Sequence, residues 1–301
     1  MTVAHATTLD GGVKTLALAT SDDAMWAAAR EGRTIALLER CRTIAARVEL
    51  ASDDIDFALV GPPTTLAIMS RTSTGGSVEL YLPPSTTDAA APPTLVPATQ
   101  LALEVPARLV ATTGPFFAVV SPNALHALFV RSAGHALSSQ LPDVEGPIER
   151  VVGLERDRFL FLLRRKLEVF DAASCRPLSR PQWPLPPPPR VLGAAFGHLW
   201  AMRENGDSIV VYRLSDSRPF QHDAGAQIDA VISHPLSPVI ALVTAGSVLR
   251  LHCHAHSVTP IHGIPDERGA MAIIVDGEEQ YLAGFTGLDR EPWRVRVTRP
   301  S

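Results

Sequence analysis

The stretch LWAMRENGDSIVVYRL, residues 199–214, places an alternating apolar segment on each side of an Asn205-Gly206 pair. Period-two alternation broken at Asn-Gly reads as a β-hairpin. Both central residues of a tight type I′ turn need a positive φ, which Asn and Gly tolerate. The same pattern returns at LAIMSRTSTGGSVELYL (66–82), FLFLLRRKLEVFD (159–171) and VIALVTAGSVLRLH (239–252). Downstream of the hairpins, VFDAASCRPL (169–178) overlays VYRLSDSRPF (211–220) position for position, and LHCHAHSVTPI (251–261) follows with one extra residue. A fourth short strand is therefore expected after each hairpin, beginning near Pro177, Pro219 and Pro260.

Working outward, an apolar run precedes each hairpin, and the first runs begin near Val13, Asp54, Ala107, Pro147, Arg190, Ala226 and Gly269. Seven units at a spacing near forty residues, each with four short strands, describe an all-β, seven-bladed β-propeller of four-stranded antiparallel blades. The expected blades are 13–50, 54–104, 107–141, 147–181, 190–222, 226–262 and 269–298, all in a single domain over 1–301. The seventh unit supplies only three strands. Its outer strand is expected from residues 2–8, TVAHATT, so that closure leaves no open sheet between last and first blades. The alanine-rich stretch 22–50, DDAMWAAAREGRTIALLERCRTIAARVEL, could be drawn as a helix, but Gly32 interrupts it and the hairpin phase runs through it.

At IDAVISHPLSPVIALVTAGSVLRLHC (228–253) the chain resembles a WD40 repeat. Ser233-His234-Pro235 lies where such repeats carry a Ser-Pro or His-Pro turn, and residues 246–253 lie where they carry the strand that ends in Trp-Asp. Phe170-Asp171 takes the Trp-Asp place in the fourth unit, and Tyr81, Tyr212 and His252 fill the aromatic slot elsewhere. No Trp-Asp dipeptide occurs, and no Gly-His dipeptide stands in the expected place. The resemblance is to a degenerate WD40-like propeller, and it implies a scaffold that binds other proteins through its loop faces. It also admits a propeller component of a bacterial system that pairs an AAA+ ATPase with a von Willebrand A protein, although no residue points to that system.

Composition narrows the classes further. The 301 residues are 46% apolar and 19% charged, with a formal net charge of −4. That is enough apolar material for a full core, and it argues against a uniform attraction to nucleic acid or anionic lipid. Only Lys14 and Lys166 are lysines among the basic residues, and the wealth of Arg, Ala and Pro fits a GC-rich bacterial coding sequence. The start MTVAHATTLD has neither a basic n-region nor an apolar h-region, and no apolar run approaches about 20 residues, so a soluble cytoplasmic chain is expected. Cys41, Cys175 and Cys253 contain no CxxC pair, which argues against a disulfide framework or a four-cysteine zinc site.

Several side chains are candidates for binding. His252, His254 and His256 alternate along one segment, and His234 is expected on the same rim of the same blade. A metal site at His234, His254 and His256 is therefore conceivable. Against it, His234 has a structural role before a proline, His252 packs as a flat ring, and no Asp or Glu is placed to orient the imidazoles. Arg164, Arg165 and Lys166 form a basic hairpin tip that could grip an acidic partner. The segment PLSRPQWPLPPPPR (177–190) must join the fourth and fifth units. Its Trp183, Pro186 and Pro189 could dock in an aromatic groove of a partner, or serve as a rigid strap. The segment LPPSTTDAAAPPTLVPATQ (82–100) reads as a mobile surface insertion with little to bury. No nucleophile elbow, Walker loop, HExxH or dinucleotide fingerprint is found, so no catalytic residue and no cofactor is expected. The second reading, a metal- or small-ligand-binding propeller with a site at the axial funnel or the sixth-blade rim, would need residues from several blades.

Overall fold

In a computed structural model the described residues are 16–20, 25–85, 92–121, 127–133, 136–140, 142, 144, 147–163, 166–181, 191–203, 205–215, 219–255 and 257–297. They contain twenty-seven strands and no helix, hence no helix long and apolar enough to cross a membrane. Blade 1 comprises β1 (Leu16–Thr20), β2 (Trp26–Glu31), β3 (Thr34–Glu39) and β4 (Thr43–Glu49). Blade 2 comprises β5 (Ile55–Val60), β6 (Thr65–Arg71), β7 (Gly76–Tyr81) and β8 (Thr99–Leu103). Blade 3 is built from β9 (Arg108–Ala111), β10 (Phe116–Val120), β11 (Ala127–Ala133) and β12 (Ala136–Gln140). Blade 4 is built from β13 (Ile148–Gly153), β14 (Arg158–Leu163), β15 (Lys166–Asp171) and β16 (Arg176–Ser179). Blade 5 holds β17 (Val191–Ala195), β18 (His198–Met202), β19 (Ser208–Arg213) and β20 (Pro219–Asp223). Blade 6 holds β21 (Ile228–Ser233), β22 (Val239–Thr244), β23 (Val248–His252) and β24 (Ser257–Pro260). Blade 7 has three strands, β25 (Ala270–Asp276), β26 (Glu279–Phe285) and β27 (Trp293–Arg296).

Each blade is an antiparallel meander, and the blades close into a ring. The first strands touch in the cycle β1, β5, β9, β13, β17, β21, β25 and back to β1, so they line the axis. At the closing joint, the Leu288 N–H donates to Glu31 of blade 1 at 2.8 Å. The chain is thus a seven-bladed β-propeller. Residues 2–8, expected to complete blade 7, lie outside the described residues.

From residue 25 to 50 the alanine-rich segment forms strands because its β2 and β3 are buried on both faces. Ala28, Ile35 and Leu37 pack toward blade 2, whereas Ala27, Ala29 and Leu38 pack toward blade 7. Alternate residues enter different seams, so the strand reads as continuously apolar, and small side chains let blades approach near the axis. Gly32, at φ 59°, takes the first central position of the two-residue turn between Glu31 and Thr34, as a type II′ turn requires.

Three local expectations are corrected. Asn205 and Gly206 do not form the two central residues of a type I′ turn: the Gly206 N–H donates to Arg203 O (3.0 Å) and the Arg203 N–H to Ser208 O (3.1 Å), so the hairpin closes at Arg203 and Ser208. In blade 6 the fourth strand ends at Pro260 instead of starting there. The tight turn after His252 lets Ser257 pair with it at once. Residues 92–98 of the expected mobile insertion form a strap on blade 1. Arg47 N–H donates to Pro93 O (2.9 Å), Leu95 N–H donates to Arg47 O (2.7 Å), and Thr94 bridges Arg47 in parallel, covering the edge of β4.

Candidate interaction surfaces

Because all first strands run the same way, turns between first and second strands gather at one end of the ring. We call this the lower rim, and third-to-fourth-strand turns share it. Its turns bond across the seams: Gly61 N–H to Gly114 O (3.2 Å), Thr113 N–H to Leu154 O (3.4 Å) and Phe196 N–H to Ser237 O (2.9 Å). The last of these fixes the Phe196-Gly197 turn of blade 5 against blade 6. The acceptor is itself anchored, since the Ser237 hydroxyl donates to Gln280 Oε1 of blade 7 at 2.7 Å.

Histidines singled out from the sequence lie on this rim. His234 is buried, and its Nδ1 accepts the Leu236 N–H at 3.2 Å, holding the His-Pro turn. His254 is exposed and groups with rings that the sequence did not link to it. Its centroid lies 5.0 Å from His198 in edge-on geometry, 5.8 Å from His252 and 6.1 Å from Phe196. His256 lies outside the described residues. The His198 Nδ1–H donates to the Phe196 carbonyl at 2.6 Å, since a carbonyl can only accept, while His252 Nδ1 accepts the Ala255 N–H at 3.3 Å. Two of the three imidazoles therefore spend a ring nitrogen on local backbone. Among the described residues no group of three His, Cys, Asp or Glu side chains is placed to hold a metal ion.

The result is a patch in which an aromatic ring is presented beside imidazoles. Phe196 is 48% exposed, and among the described residues it is the one aromatic in the exposed set that also contains Met25, Val96, Val105 and Leu178. His198 could have been found from the repeat overlay, which places the first turns of blades 5 and 6 side by side.

The Trp-Asp substitute does structural work. Phe170 is fully buried edge-on to Phe161 (4.9 Å), and Asp171 Oδ2 accepts from the Ser174 N–H (2.8 Å) and hydroxyl (2.6 Å) to cap the next turn. Lys166 of the basic tip is committed within its own blade: its Nζ lies 2.6 Å from the buried Glu168, which Arg180 also meets at 2.8 Å. Arg164, Arg165, Trp183, Pro186 and Pro189 fall outside the described residues. The thiols make poor nucleophiles, since burial pushes Cys41 up to about 11 and Cys253 up to about 12, and also raises Cys175.

The opposite, upper rim is held by arginines. Arg30 donates to Gly32 O and Asp53 O, both at 2.8 Å, and Arg33 pairs with Asp53 at 3.0 Å. Arg71 grips Asp54 through Nε (2.8 Å) and a terminal nitrogen (2.6 Å) and also pairs with Asp56. Asp56 in turn accepts the Leu109 N–H of blade 3 at 3.2 Å. The guanidinium of Arg71 holds the Asp54 carboxyl below its usual range.

No family model matches the chain, and no curated protein matches it. Solved structures do. The β-propeller domain of Cps50 (Swd1) from Myceliophteria thermophila superposes with a TM-score of 0.62 at 11% identity, over 99% of each chain. Hydrazine synthase from Kuenenia stuttgartiensis does so with a TM-score of 0.57 at 10% identity, over 93% of this chain and 94% of that one. One is named for its propeller and the other for an enzyme, so the likeness carries the fold and leaves function to the surfaces.

Proposed function

We propose that this WD40-like ring is a non-catalytic scaffold that binds other proteins through its rims, with Phe196 on the blade 5–blade 6 seam as the principal anchor. The observation that carries the reading is an aromatic side chain both exposed and held in place. Its backbone N–H bonds blade 6, its carbonyl accepts from His198, and its ring sits beside His254. Interfaces draw most of their energy from a few aromatic or arginine anchors, and an anchor ordered before binding loses less entropy on association. Seven packed sheets fix the rims while loop sequence can vary with small effect on the fold, which suits recognition.

The test compares affinity capture from the native cell with wild-type and Phe196→Asp protein at matched expression and melting temperature. Loss of specific partners at least about tenfold in recovery, the scale of one anchor residue, is expected from the variant. Recovery of the same proteins in the same yield by both would overturn the assignment.

A further inference from the structure

The strap at residues 92–98 shows apolar groups to solvent while it is held along its length. The backbone of Arg47 binds Pro93 and Leu95, and the Ala98 N–H donates to Leu80 O of β7 at 2.7 Å. Leu95 packs against the core shared by blades 1 and 2. Val96, the next residue, is 79% exposed, the highest value among the exposed large hydrophobics of the described residues. Exposure repeats every third residue: Leu95 and Ala98 are half-buried, whereas the pairs Pro93 and Val96, Thr94 and Pro97 face solvent. A β-strand would alternate every second residue, and a period of three is that of a polyproline II helix.

The residues themselves impose this shape. Pro92, Pro93 and Pro97 fix φ near about −65°, and Pro92 and Val96, each preceding a proline, are turned away from the helical region. The prolines also lack an N–H, so a further strand cannot build a regular ladder along the strap. No charged residue occurs from 92 to 103. The outward edges therefore offer proline rings, valine methyls and the carbonyl acceptors of a backbone that makes no internal hydrogen bonds.

From this display we infer that residues 92–97 are a docking ridge for a partner domain with a shallow groove lined by Trp and Tyr. Flat aromatic rings pack on the Pro93–Val96 edge, and indole N–H and phenol O–H groups donate to the carbonyls. A charged groove would find nothing to pair with here, and a partner that adds a strand would lack donors to accept from. Because β4 already holds the strap extended, little conformational entropy is lost on docking. The ridge lies on the outer edge of blade 1 and Phe196 on the seam of blades 5 and 6, so the two stand or fall separately.

The experiment places photo-crosslinking benzoylphenylalanine at position 96 of the full chain. Extract of the native cell is irradiated alone, with excess decaproline, and with a Gly-Ser peptide of equal length. A discrete protein adduct is expected, suppressed at least about tenfold by decaproline and untouched by the Gly-Ser peptide, the scale of one lost anchor. The adducted protein, once purified, should lose at least about tenfold in affinity for the full chain on Val96→Asp, and likewise when Pro93→Gly and Pro97→Gly are combined. Val96 is exposed, so its Asp variant keeps the wild-type melting temperature, and its result stands even if the glycine pair loosens the strap. No adduct, an adduct with a second copy of this chain, an adduct that decaproline leaves intact, or an affinity that Val96→Asp leaves unchanged overturns the inference.

Discussion

Gly193→Ala should loosen the joint between blades 5 and 6. Gly193 faces Trp200 across β17 and β18, and a Cβ there would stand 2.5 Å from indole Cε2 and 2.8 Å from Nε1. Trp200 has little room to yield. It is buried to 1% exposure, and its Nε1–H donates to the Ser233 hydroxyl of blade 6 at 2.8 Å. Overpacking of this kind costs about 1–3 kcal/mol. Pushing the indole off Ser233 strands a buried donor, for about another 1–3 kcal/mol. A total of about 2–6 kcal/mol lowers Tm by roughly 4–24 °C at about 2–4 °C per kcal/mol. Equilibrium urea unfolding, followed by circular dichroism and tryptophan fluorescence, measures the change. The double variant with Ser233→Ala separates the two contributions. If the added methyl breaks the hydrogen bond, the costs are sub-additive by about 1 kcal/mol or more, because the second change removes a bond already lost. A Gly193→Ala protein within about 0.5 kcal/mol of wild type, the range of an ordinary surface change, would refute the reasoning, as would strictly additive costs.

Two further outcomes follow from the lower rim and the closing joint. The Asp157 carboxyl lies against Gly114 and is held above the usual carboxylate range, first by burial and then by Asp171. A raised acid withdraws stability as pH climbs through its folded pKa, so Asp157→Asn raises Tm at neutral pH. The gain shrinks as pH falls below the ordinary carboxylate range, where the acid is protonated folded or unfolded. A pH-independent difference in melting scans would contradict this. If residues 2–8 complete blade 7, removing residues 1–10 lowers Tm by at least about 5 °C, the shift that about 2 kcal/mol makes at this size. An unchanged melting curve would mean that β27 needs no outer partner.

Much of the fold could be read because hairpin alternation and turn residues act over a few residues, and seven repetitions of one phase leave few alternatives. The β2–β3 hairpin was readable through Gly32 even though its alanines favour helix, since burial on two faces overrides propensity. What escaped the sequence depends on contacts between blades. His198 and His254 are 56 positions apart and meet only because neighbouring first-strand and third-strand turns share a rim. The ordering of residues 92–98 depends on the free edge of β4, which composition does not reveal.

The claim that the blade 5–blade 6 seam is a protein-binding surface is tested most directly by placing a photo-crosslinking benzoylphenylalanine at position 196 in the cell, with position 178 of the exposed β16 as the reference. Irradiation should give a discrete protein adduct from position 196 that position 178 does not give. Equal or absent adducts at the two positions would contradict the account.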